Sequence, residues 1–121
     1  MSKLILVVED QEDNRRIMRD LLSSVGYEVI EAVTGEEGVV AADTHRPDLI
    51  LMDIQLPGLD GYEATRQIKA NPELEHIPII VVTSYALSGD DVKAFEAGCN
   101  AYVSKPFSPR ELLAKIREYL P

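Results

Sequence analysis

Cysteine is nearly absent from this sequence. Cys99 is the single thiol in 121 residues, so no internal disulfide can form and a reducing cytoplasm is the natural compartment. Cys99 follows Gly98 near an expected helix end and reads as a small apolar filler. Long apolar runs are missing too. No stretch approaches the roughly 20 residues of a membrane span. Met1-Ser2-Lys3, followed at once by a short apolar run, has no signal-peptide pattern. Basic residues are in deficit, 12 Lys and Arg against 21 Asp and Glu, for a net charge of −9. That balance argues against tight binding to nucleic-acid phosphates or to anionic membranes, so neither is expected. His45 and His76 have no metal-spaced partners and read as surface or loop residues. No repeat, low-complexity tract or linker interrupts the chain. What remains is 45% hydrophobic and 27% charged, the composition of one globular domain, residues 1–121, with a real core.

Strand and helix patterns alternate five times. Capping boxes are expected at Thr34-Gly35-Glu36-Glu37 and Asp60-Gly61-Tyr62-Glu63, and Ser108-Pro109-Arg110-Glu111 adds proline at a first helical position. Ser88-Gly89-Asp90-Asp91 places acids in a first turn. Gly26 and Gly98 suit left-handed C-caps, and Asn71-Pro72 ends the middle helix. Helices are predicted over 13–25, 35–44, 61–70, 89–97 and 109–119. Ile17, Leu21 and Val25 share one face of the first, and Leu112, Leu113, Ile116 and Leu120 line the last. Runs starting at Leu4, Leu49 and Ile79 are continuously apolar, as strands buried on both faces should be. Tyr27–Glu31 alternates and Ala101–Ser104 is short, so these two read as edges. Right-handed crossovers then favour an α/β fold: a doubly wound, parallel, five-stranded sheet of order 2-1-3-4-5, the flavodoxin-like (βα)5 arrangement. Its switch point lies between the first and third strands.

The apolar runs stop at chemistry. Leu4–Val8 stops at Glu9-Asp10, Leu49–Met52 at Asp53, Ile79–Val82 at Thr83-Ser84, and Ala101–Val103 leads to Ser104-Lys105. Parallel strands put these tips on one edge. Two carboxylates about 4 Å apart repel by roughly 4 kcal/mol at an effective dielectric near 20, so three gathered together call for a shared proton or a cation. An all-oxygen set with open positions suits Mg²⁺. Taken singly, the acids also fit helix caps or solvated charges. Lys105 fits a surface charge or a partner for Asp53 and any anion on it. Thr83 fits a plain β-branched strand residue or a donor to a phosphoryl oxygen. Tyr102 fits a half-buried aromatic on an edge strand.

Five segments together resemble the receiver domain of bacterial two-component response regulators, the class typified by the chemotaxis regulator. They are Val8-Glu9-Asp10 with Asn14; Asp48 to Asp53; Leu56-Pro57-Gly58-Leu59-Asp60-Gly61; Val82-Thr83-Ser84; and Tyr102-Val103-Ser104-Lys105-Pro106-Phe107. The resemblance runs from Lys3 to Leu120. It implies that Asp53 accepts a phosphoryl group from a histidine of a partner kinase or phosphotransfer protein. It implies Mg²⁺ (or Mn²⁺) on Asp10, Asp53 and the backbone carbonyl of Gln55, with Glu9 holding a metal-bound water. Lys105 and Thr83 would contact the phosphoryl oxygens, and Lys105-Pro106 would be a cis peptide. Tyr102 would change rotamer with Thr83 and alter the face formed by the fourth helix, last strand and last helix, around Asp91, Lys93, Tyr102 and Lys115. Glu9 stands where many members have Asp. Gln55 and Tyr85, each two residues beyond Asp53 and Thr83, occupy places the resemblance links to water access, so both are expected to slow hydrolysis of the acyl phosphate.

The expected function is a stand-alone phospho-acceptor switch acting on a downstream effector protein, not a dedicated enzyme, with self-catalysed phosphoryl transfer and autodephosphorylation. With the chain stopping one residue after Leu120, the readout is expected to fall to a partner if this is the whole gene product. Asn14, Arg15 and Met18 mark a docking place for the phosphodonor, with Met18 equally suited to the core margin. A receiver cut from a hybrid kinase or multidomain regulator is an alternative. An aspartyl-nucleophile phosphatase of the haloacid-dehalogenase type would want a second Asp where Gln55 stands. A flavin or nucleotide module would want a glycine-rich phosphate loop where Glu9-Asp10 stands.

Overall fold

Five segments too apolar to leave in water pair side by side, and the polar helices between them cover both faces of the resulting sheet. A computed structural model describes residues 2–83 and 90–121, with backbone alone at 90 and 91. The elements are β1 (Leu4–Val8), α1 (Glu12–Ser24), β2 (Glu28–Ala32), α2 (Gly35–His45), β3 (Leu49–Asp53), α3 (Gly61–Ala70), β4 (Ile79–Thr83), α4 (Asp90–Glu96), β5 (Ala101–Ser104) and α5 (Pro109–Tyr119). All strands are parallel in the order β2-β1-β3-β4-β5. The predicted topology and edge strands are therefore present. Every residue of β3 and β4 is buried.

Side chains alternate across a strand, and this sorts the core into two layers. Leu6, Val8, Ile50, Met52, Ile79 and Val81 face Ala42 of α2, Ala64 and Ile68 of α3, and Ala94 of α4. Ile5, Val7, Leu49, Leu51, Ile80 and Val82 face Met18 and Leu22 of α1 and Leu112 and Ile116 of α5. The α1 stripe differs from expectation. Ile17 is 59% exposed and Val25 41%, while Met18 and Leu22 are buried. The seam runs one residue along, because Met18 and Leu22 sit one turn apart over β1 and β3 whereas Ile17 turns outward, toward a groove it shares with Lys105, Pro106 and Phe107. The last helix packs as predicted, with Leu112, Ile116 and Leu120 buried and Leu113 partly so.

The caps explain the helix bounds. Thr34, Asp60 and Ser108 each accept the amide of the residue three along, which satisfies an orphan donor of the first turn. Helix α1 starts at Glu12, one residue earlier than predicted, after Gln11, whose side chain makes no cap bond. Behind Gly26 and Gly98 run paired bonds, Tyr27 to Leu22 O with Gly26 to Ser23 O, and Cys99 to Ala94 O with Gly98 to Phe95 O. Both glycines have positive φ, +95° and +108°, the Schellman arrangement. The predicted α4 start at Ser88-Gly89 lies outside the described residues.

Gly61 has a different use. A Cβ there would lie 2.0 Å from the carbonyl oxygen of Asp53. Only a bare α-carbon lets the first turn of α3 press against the end of β3, where its amide donates to Ile54 O at 3.0 Å. That contact holds the backbone on which Asp53 is mounted.

Candidate functional site

Parity brings the site together. Counting along β1, β3 and β5, residues Glu9, Asp53 and Lys105 fall on the same side as Val7, Leu51 and Val103, which share one core layer. The ladder continues one residue past β1 and β5, through Glu9 N–H to Ala32 O at 3.0 Å and Lys105 N–H to Thr83 O at 2.7 Å. The alternation therefore still holds where the functional side chains leave the sheet.

The Lys105 ammonium donates to Glu9 Oε1 at 2.6 Å and stands 3.5 Å from Asp53 Oδ2. The sequence suggested Asp53 as its partner, and the structure gives it Glu9 first. The Glu9 side chain is wholly buried, so the nearest cation is drawn to the charge that water cannot reach. The remaining carboxylate atoms take backbone donors, Gln11 N–H on Glu9 Oε2 at 3.1 Å and Gln55 N–H on Asp53 Oδ1 at 3.3 Å. Asp10 is only half-buried and, with Gln11, Asn14, Asp53, Gln55 and Lys105, lines an open cleft of about 320 Å³.

The two buried acids titrate in opposite directions. Burial pushes the Asp53 carboxyl up, and the hydrogen bond and negative charge of Glu9 push it further, to about 7 despite Lys105. Burial also works to raise Glu9, but hydrogen bonds from Lys105, Asp53 and the Gln11 amide outweigh it, and its pKa lies below the ordinary value. Burial and Glu9 thus favour the protonated form of Asp53, while the ammonium favours the ionised form of Glu9.

Among the described residues, Glu9, Asp10 and Asp53 each offer an oxygen within 4.8 Å of the others. Three acids stand against one ammonium, and the donors are hard oxygens opening on a cleft. This set could hold a divalent cation such as Mg²⁺ or Mn²⁺.

Thr83 ends β4 fully buried. Asp53 lies opposite Val82 in register, and Thr83 opposite Ser104, so Thr83 is one step beyond the neighbour of Asp53. By alternation Thr83 and Tyr102 share the other face of the sheet, and Tyr102 packs against the layer that contains Val81. The Lys105–Pro106 peptide is cis. Gln55 is exposed at the cleft, and Tyr85 lies outside the described residues. His45 and His76 are exposed, and Cys99 is buried with its thiol pushed up by that burial to about 11.

Met18 is core, 3% exposed, yet it also borders an apolar groove of about 410 Å³ with Asn14, Ile17, Lys105, Pro106 and Phe107. Two contributors were not assigned from the sequence. Glu36 accepts the Leu59 amide at 2.8 Å and so ties α2 to the loop after Asp53; its placement inside a capping motif concealed this. Ile17 is an exposed apolar residue of the groove, and its hydrophobicity suggested a buried one.

A family model described as the response regulator receiver domain matches residues 5–117. The polar-differentiation response regulator DivK of Brucella anthropi is 47% identical over 120 residues, which span 99% of this chain and 98% of that protein. The receiver domain of a sensor histidine kinase from Pseudomonas aeruginosa PAO1, with a magnesium ion coordinated in its active site cleft, superposes with a TM-score of 0.93 at 40% identity, over 99% of this chain and 98% of that one. The chemotaxis protein CheY4 of Vibrio cholerae gives a TM-score of 0.92 at 25% identity, over 98% and 99%.

Proposed function

The chain belongs to the response regulator receiver domain family, which serves phosphorylation-dependent signalling in two-component systems, and from that premise we propose that Asp53 is the phosphoryl acceptor of a signalling switch. The observation that carries this is the Lys105 ammonium set between the buried carboxylates of Glu9 and Asp53 at the mouth of an open cleft. An oxygen of the ionised Asp53 carboxylate attacks the phosphorus of a phosphohistidine; the P–N bond breaks as the O–P bond forms, its electron pair stays on the ring nitrogen, and the imidazole, already protonated on its other nitrogen, leaves neutral. Phosphoryl transfer asks a protein mainly for alignment and neutralisation. The end of β3 supplies the alignment, through the Gln55 amide on Asp53. Lys105 supplies positive charge for the transferred oxygens, and Thr83 a hydroxyl at the adjacent strand end. Asp10, Asp53 and the Gln55 carbonyl would hold Mg²⁺ (or Mn²⁺), with Glu9 on a metal-bound water, and the ion when bound adds charge neutralisation for the phosphoryl oxygens.

The acyl phosphate reacts with water, so the protein catalyses its own resetting and is no dedicated enzyme. The new charge draws Thr83, and Tyr102 on the same face follows into the space it leaves. The face of α4, β5 and α5 carries the signal to an effector protein; exposed Val92 and Phe95 beside Lys93 offer it an apolar contact. The groove of Asn14, Ile17, Met18, Pro106 and Phe107 opens beside Lys105 and suits the helix of a histidine kinase or phosphotransfer protein. No helix among the described residues is long and apolar enough to cross a membrane, in keeping with partners that meet it in the cytoplasm.

Incubation with acetyl phosphate and Mg²⁺, followed by intact mass, tests this. One phosphoryl group should be gained, absent in Asp53→Asn and blocked by chelator. No gain in the wild type, or an equal gain in Asp53→Asn, would remove Asp53 from the role.

A further inference from the structure

Arg15 supplies no ligand to the acidic cluster, yet it grips the turn that carries two of its members. Its Nη1 donates to the backbone carbonyl oxygens of Glu9 at 3.0 Å and Asp10 at 2.9 Å. Its Nε stands 3.4 Å from Glu31 Oε1 on β2. The other Glu31 oxygen receives Arg19 Nη1 at 3.1 Å. Side chains on a helix lean toward its N-terminus, so Arg15, one turn into α1, reaches back over the loop that joins β1 to α1. Its side chain is 16% exposed.

The mechanical consequence is specific. One nitrogen on two successive carbonyls ties down the peptides on either side of Asp10, Glu9–Asp10 and Asp10–Gln11, and with them the course of the turn from which the two carboxylates leave the chain. Glu31 anchors the guanidinium from the other side, on an edge strand already held to β1. Groups that orient ligands without touching the metal commonly change affinity by about 10- to 100-fold when removed. We propose that Arg15, anchored by Glu31, is a positioning residue that sets the Glu9–Asp10 turn in the geometry a divalent cation requires. The proposal rests on the metal-assisted role of the cluster given above.

Charge and position predict opposite signs for Arg15. A guanidinium near a cation site repels the cation, so if charge were its whole contribution, removing it would tighten binding. If it positions the turn, removing it weakens binding.

The test is calorimetric titration of the full chain with Mg²⁺ at 25 °C, with melting in chelator recorded for each variant. Arg15→Met should weaken Mg²⁺ binding about tenfold. Arg15→Lys keeps the charge but cannot reach two carbonyls and Glu31 at once, and should weaken it severalfold. Glu31→Gln should weaken binding in the wild type and add nothing in the Arg15→Met background, because its effect runs through Arg15. Arg15→Met binding as tightly as wild type or more tightly overturns the proposal, and so does a lower melting temperature with an unchanged Kd. Should Arg15→Met not fold, unchanged Kd values for Arg15→Lys and Glu31→Gln overturn it equally. A wild-type protein that binds no Mg²⁺ is a distinct result: it removes the metal-assisted role itself and the positioning role with it.

Discussion

Lys105 and Glu9, 96 positions apart in sequence, meet at 2.6 Å, and the Glu9 side chain has no exposure to water. The ammonium therefore serves two acids of unequal need. It satisfies the buried Glu9 and lies a further ångström from Asp53. From this place a new anion on Asp53 would lie within its reach.

Replacing Lys105 by Met should leave Glu9 buried and without its cation. Breaking a buried pair from one side costs roughly 3–5 kcal/mol, and the partial exposure of Lys105 argues for the lower end. Urea unfolding in chelator measures the loss, and phosphoryl uptake from acetyl phosphate should fall in the same variant. Stability within 1 kcal/mol of wild type, about the level of an exposed pair, would show that the ion pair is spread into solvent.

The pH dependence has a definite sign. Asp53 is pushed from 3.8 in the unfolded chain to about 7 in the folded one, so the folded state holds an extra proton in between. Its stabilising effect is complete below about 3.8 and is lost as pH rises through about 7. Glu9, shifted downward, acts in the opposite sense and only near and below its ordinary value of 4.5. Between pH 5 and 8 in chelator, wild-type stability should therefore fall by a few kcal/mol relative to Asp53→Asn. Parallel profiles for the two proteins, measured by urea unfolding across that range, would place Asp53 in an ordinary carboxylate environment.

Strand alternation puts Thr83 and Tyr102 on the same sheet face, with Tyr102 opposite Val81 and Thr83 two residues on. Phosphorylation should shift the ring resonances of Tyr102 in the wild type. In Thr83→Ala the phosphoryl group should still be accepted while those shifts shrink to a small fraction. Equal shifts in both proteins would separate Tyr102 from Thr83.

Much of this site was legible because a parallel strand buried on both faces must be apolar until it ends, so Glu9, Asp53 and Thr83 stood out as the first polar residues after such runs, with Lys105 one residue beyond Ser104 at the end of the short edge strand. The caps at Thr34, Asp60 and Ser108 were legible because short polar side chains before a helix have one good use. The α1 seam was not. The apolar series of Ile17, Leu21 and Val25 competes with that of Met18 and Leu22, and only the sheet beneath decides between them. The pairing of Lys105 with Glu9 was readable in principle, since period-two counting from Val7, Leu51 and Val103 puts Glu9, Asp53 and Lys105 on one side. Counting stops being dependable where strands end, and here the ladder runs one residue further on. The grip of Arg15 on two carbonyls leaves no trace in a residue pattern, because backbone acceptors look alike in every sequence.

Gln55 is exposed at the mouth of the cleft, and its amide already contacts Asp53. We propose that its side chain limits the access of water to an acyl phosphate on Asp53. Gln55→Ala should lose phosphate several times faster than wild type in a time course of intact mass. Tyr85→Ala should do the same. Rates no faster than wild type would show that access is limited elsewhere.

The most direct test of the central claim is to trap the acyl phosphate. Borohydride reduces a phosphorylated aspartate to homoserine, and peptide mapping then locates it. After treatment with acetyl phosphate and Mg²⁺, homoserine should appear at position 53 and nowhere else. Its appearance at Asp10 or another carboxylate, with Asp53 intact, would contradict the assignment of Asp53 as acceptor.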